Sequence, residues 1–84
     1  LNKELDNLRK AIDEKDYASV VRIAHIYITA LRYIGAYALA ELAATIELTI
    51  KRNEHESVAG FSEQLEALYT ALVEMNAKVE GMVK

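Results

Sequence analysis

A histidine, His25, stands in the run Ala24-His25-Ile26-Tyr27-Ile28-Thr29-Ala30-Leu31-Arg32-Tyr33-Ile34-Gly35-Ala36, with a Gly-Ala pair beginning ten residues further on. A neutral imidazole at an accessible helical position is a nucleophile that can take up a phosphoryl group and pass it on. That chemistry needs an open approach for the donor. It also benefits from a nearby cation, because a phosphoryl group carries about −1.5 to −2 charge. From Val20 to Ala40 the only ionisable side chains besides tyrosines and His25 are Arg22 and Arg32. Arg32 lies two turns beyond His25 on the same helical face, about 10 Å of helical rise away.

The other chemistry-bearing residues suggest less. His55 falls in Asn53-Glu54-His55-Glu56, a polar turn or helix start, where the ring is expected to be solvated. Glu54 and Glu56 do not make a metal site with it, since no third convergent ligand is evident. Tyr17 and Tyr27 read as core residues with their hydroxyls turned to water, while Tyr33 and Tyr37 fit either surface or packing. Met75 and Met82 fall on an apolar stripe. No glycine-rich phosphate loop and no Ser/His/Asp triad is present. Cysteine is absent, which rules out disulfides and thiolate metal sites. His25 as an axial metal or haem ligand lacks a visible second ligand.

The elements that must position His25 follow from composition and spacing. The chain has 84 residues, three glycines and no proline, and is rich in alanine, leucine and glutamate, a helical composition. Apolar residues recur in alternating steps of three and four, which places a stripe on one face of each of four helices. The first stripe is Leu1, Leu5, Leu8 and Ile12; the second is Tyr17, Val20, Ala24, Tyr27, Leu31 and Ile34. The third is Leu39, Leu42, Ala43, Ile46 and Ile50; the fourth is Val58, Phe61, Leu65, Leu68, Leu72, Met75, Val79 and Met82. Asp16 is expected to cap the second helix, and Gly35 to supply the left-handed residue that ends it. Asn53 with Glu56 reads as an imperfect capping box opening the fourth. Short connections make successive helices antiparallel neighbours. The expected fold is therefore all-α, an antiparallel up-down-up-down four-helix bundle forming one domain over residues 1–84.

If the second stripe faces inward, Val21, His25, Ile28, Thr29 and Arg32 share an adjoining face. A small bundle buries one stripe of each helix, so Val21 and Ile28 are expected to be partly exposed beside His25. The net charge is −3, with no basic stripe, which disfavours nucleic-acid binding. No charge-free run reaches the 18 or so residues that span a bilayer, and no signal-like region opens the chain.

The frame around His25 resembles the histidine-containing phosphotransfer domains of bacterial phosphorelays, whose pattern is roughly Ala-His-x-Leu-Lys-Gly-small-small-x-x-aliphatic-Gly-Ala. The resemblance extends to Lys15-Asp16 in the preceding turn, and to the Leu-rich helix Leu39-Ala40-Glu41-Leu42-Ala43-Ala44-Thr45-Ile46-Glu47 with a glutamate near its end. The extra N-terminal helix of many members is not expected within these 84 residues. The resemblance implies a cytoplasmic phosphoryl carrier, rather than an enzyme with turnover of its own, with His25 as the acceptor. It also implies docking of a response-regulator receiver domain on Val21, Ile28, Thr29 and Arg32. The chain needs no cofactor of its own, because Mg²⁺ would belong to the receiver.

Two motif positions depart from the family. Its lysine, three residues after the histidine, is Ile28, and its glycine, four residues after, is Thr29. One lost charge-assisted contact costs roughly 1–3 kcal/mol, and a β-branched side chain fills space the family leaves empty. The expectation is slow transfer or none relative to an intact member. The alternative is a transfer-incompetent or redesigned bundle acting as a structural or interaction protein, with the apolar side chains around His25 favouring a homodimer.

Overall fold

The computed structural model describes residues 2–83, with side chains placed for residues 3–78. Among them are four helices and no strand: α1 (Asn2–Glu14), α2 (Tyr17–Tyr33), α3 (Tyr37–Lys51) and α4 (Phe61–Val83). The backbones approach one another in a ring: α1 lies against α2 and α4, and α3 against α2 and α4. The most extensive pair is α2 with α3. Ala24 of α2 and Ala40 and Ala43 of α3 are all buried, and such small side chains let two helices close up.

The expected stripes form the core with some shifts. Leu5, Leu8, Val20, Ala24, Tyr27, Leu31, Ala43, Ile46, Phe61, Leu65, Leu68 and Leu72 are buried. Full burial of one such large aliphatic side chain stabilises by roughly 1.5–3 kcal/mol. Leu1, Val79 and Met82 lie outside the residues whose side chains are described. Ile23, off the expected stripe, is completely buried, because α2 packs on both α1 and α3 and so buries a wider face than one seam. Ile34, expected inside, is exposed, since the helix has already ended there.

Three helix ends close in the same way. After α1, Asp16 N–H donates to the Ala11 carbonyl (2.9 Å) and Lys15 N–H to Ile12 (3.2 Å). After α2, Ala36 donates to Leu31 (2.8 Å) and Gly35 to Arg32 (3.2 Å); after α3, Glu54 donates to Thr49 (3.0 Å) and Asn53 to Ile50 (2.9 Å). Each is a Schellman closure, with a left-handed residue satisfying the last carbonyls. Those residues are Lys15 (φ 57°), Gly35 (φ 84°) and Asn53 (φ 56°). Gly35 therefore ends α2 as expected, and the Asp16 carboxylate caps α2 by accepting from the Ser19 N–H at 3.3 Å. Asn53 does not open the fourth helix: it terminates α3, and α4 begins at Phe61. The backbone demand for a positive φ outweighs the local capping pattern, because asparagine tolerates that region better than most residues.

α1 is tied to α4 by Arg9, whose guanidinium donates to both carboxylate oxygens of Glu66 (2.8 and 2.6 Å) and to Asp13 (2.6 Å). It also lies 4.9 Å from the centre of the Tyr69 ring.

Candidate functional site

His25 sits near the middle of α2, with 72 % of its side chain exposed. It stands at the rim of a groove between α2 and α3, lined by His25, Ile28 and Arg32 on one side and by Ala44, Glu47, Leu48 and Lys51 on the other. Position along each helix follows from the tight 34–36 turn. It sets the register so that the middle of α2 faces the last turns of α3.

One carboxylate organises the groove. Glu47 Oε1 lies 3.3 Å from His25 Nδ1, and Glu47 Oε2 lies 2.8 Å from Lys51 Nζ, one turn further along α3. The Lys51 ammonium holds the Glu47 carboxyl below its ordinary range, and the His25 contact acts in the same direction against the opposing effect of burial. An ionised carboxylate only accepts hydrogen bonds. The proton of the neutral ring is therefore on Nδ1, donated to Glu47, and the Nε2 lone pair is left free. Nε2 makes no hydrogen bond among the described residues. A carboxylate on one imidazole nitrogen fixes which nitrogen reacts, and it steadies the positive charge that grows on the ring as Nε2 forms a bond.

The face expected around His25 is only partly assembled. Thr29 and Arg32 are exposed and Val21 is half-buried. Ile28 was expected to be partly exposed, but it is buried, with 8 % of its surface accessible. It lies on the wall of the groove between α2 and α3, with little of its surface left to solvent. Little apolar surface is therefore exposed at Ile28 itself, whereas Leu48 across the groove is exposed. Glu47 appeared in the sequence as the glutamate near the end of its helix, without a role. Lys51 was missed altogether. Its i, i+4 relation to Glu47 is visible in sequence, but its relation to His25 depends on the register of two helices.

His55 differs from its solvated expectation. The connection between α3 and α4 folds its ring against Tyr17 (centroids 4.5 Å apart) and Phe61 (6.2 Å), and its Nδ1 is buried with no partner. Among the described residues no group of three His, Cys, Asp or Glu side chains converges as for a metal ion. Nor is any helix among them long and apolar enough to cross a membrane.

No curated protein and no solved structure matches the chain at a significant level. The family model of the Hpt domain, however, matches residues 1–75, which takes in α1, α2, α3 and most of α4. This family performs histidine phosphotransfer in phosphorelays, generally with receiver domains as partners. With His25 on an all-helical scaffold and a match over most of its length, the chain belongs to the Hpt domain family.

Proposed function

We propose that this chain carries a phosphoryl group on His25 Nε2 between receiver domains of a phosphorelay. The observation that supports it best is the pairing of an exposed imidazole with an ionised Glu47 on Nδ1, which leaves Nε2 as the nucleophile. In the forward step the Nε2 lone pair forms an N–P bond while the P–O bond of a receiver's aspartyl phosphate breaks. The electron pair leaves with the aspartyl carboxylate, and the Nδ1 proton stays on the ring, shared with Glu47. Transfer to the next receiver reverses these steps with a second aspartate as the nucleophile. The chain is a carrier, and Mg²⁺ belongs to the receiver.

The receiver meets the face around His25 formed by Val21, Thr29 and Arg32, with Ile28 as the apolar edge of the groove. The scaffold is one domain over residues 1–84 with its helices running up-down-up-down. The short 34–36 turn and the pairs His25–Glu47 and Arg9–Glu66 support that topology. The working compartment is the cytoplasm, where receiver domains operate. Incubation with a phosphorylated receiver should yield an acid-labile phosphohistidine that is lost on His25→Gln. If no label reaches His25 under conditions that label a family member with an intact motif, the proposal fails.

A further inference from the structure

We infer that Lys51 on α3 is the phosphate-binding cation of this site, replacing the α2 position where the family carries lysine and this chain carries Ile28, and that Glu47 holds it until a phosphoryl group arrives. The inference rests on His25 being the phosphoryl acceptor, and it addresses what neutralises the group once bound.

Three cations lie near enough to consider. Arg22 lines a different groove, between α1 and α2, together with Lys10, Glu14, Asp16 and Ser19. Arg32 lines the His25 groove but stands two turns along α2, about 10 Å of rise from the imidazole. Lys51 is one carboxylate away: its Nζ is 2.8 Å from Glu47 Oε2, and Oε1 of that carboxylate is 3.3 Å from His25 Nδ1. Ile28 contributes no charge to the groove it lines.

The electrostatics require a partner of this kind. A phosphoryl group on Nε2 brings about −1.5 to −2 charge close to Glu47, which is already negative. The two negative groups repel, and a cation close to both offsets that cost. Lys51 is 59 % exposed on a flexible four-carbon stem and lines the same groove as His25, so its ammonium can exchange Oε2 for another anion in that groove by side-chain rotation. The more highly charged group wins the ammonium, while Oε1 goes on accepting from the Nδ1–H. The latch thus holds the ring in its reactive tautomer before transfer and releases the cation afterwards.

The test uses the whole chain and inorganic phosphate, with the His25 ring resonances followed by NMR. Phosphate should shift them in the parent chain. Lys51→Met should weaken that binding about ten-fold, the equivalent of one charge-assisted contact. Lys51→Arg should largely retain it, and Arg32→Met should change it by no more than about two-fold. Circular dichroism shows whether each variant is folded, and a role of Lys51 confined to the α3 terminus would alter melting without altering phosphate affinity. The inference is overturned if folded Lys51→Met binds phosphate as the parent does, or if the parent's His25 ring does not respond. Direct phosphorylation with phosphoramidate reads the acceptor role separately. Phosphate held through Lys51 without phosphohistidine formation supports the cation assignment and contradicts the carrier proposal.

Discussion

His25 stands in the middle of a continuous helix, largely exposed, with one ring nitrogen held by a carboxylate and the other open. His55 lies in an irregular connection, its ring packed on Tyr17 and Phe61 and its Nδ1 sealed without a partner. The same side chain is thus presented in one region and used as packing in the other. The difference arises from the elements beneath. α2 has a rigid backbone and a facing helix that delivers Glu47 at a fixed register. The 52–60 segment has only the ends of other elements to lean on, so it folds its most apolar faces inward. The exposed ring is the one open to an incoming group, and the covered one contributes packing.

The largest effect expected from this contrast is on labelling. His25→Gln should abolish phosphohistidine, while His55→Gln should leave the label within about two-fold, measured by acid-labile phosphate; equal losses would erase the distinction. Next, Phe61→Ala removes the wall beside His55, a side chain only 4 % exposed, and should cost about 3 kcal/mol in urea unfolding. His55→Ala should cost about 1 kcal/mol through its lost ring contacts, against no more than about 0.5 kcal/mol for His25→Ala at its exposed site.

The smallest expected effect is the acid dependence of the His25 region. Because Glu47 titrates below its ordinary value of 4.5 in the folded chain, it adds stability above that pH and loses it as pH falls through the depressed folded value. Glu47→Gln should therefore flatten the melting-temperature curve below about pH 4.5 relative to the parent. Asp16 and Glu66 are lowered too, by Ser19 and Arg9 respectively, and remain in both proteins, so the difference curve isolates Glu47.

Much of this was legible in the sequence because helical periodicity is a local signal. The stripe from Val20 to Leu31 put His25 on an outward face, and Gly35 could do little other than end α2. Periodicity gives one seam per helix and leaves Ile28 partly exposed, whereas α2 meets two neighbours and its alanine-lined contact with α3 extends burial sideways. The start of α4 was misplaced because Asn53 satisfies two local rules, and only the need to close α3 decides between them. The Glu47 bridge depends on inter-helix register, which no single-helix pattern contains. The charged neighbours of His55 suggest a solvated ring, whereas Tyr17, which packs on it, is distant in sequence and on another helix.

Of the three left-handed positions that close helices, one is occupied by glycine; Lys15 adopts that conformation with a full side chain. The chain therefore carries slack that selection at the histidine face would never touch. Lys15→Gly should relieve roughly 1 kcal/mol of conformational strain, a thermostability gain at the opposite end of α2 from the Gly35 turn. A scaffold hardened there would make a better host for trials of altered chemistry at His25.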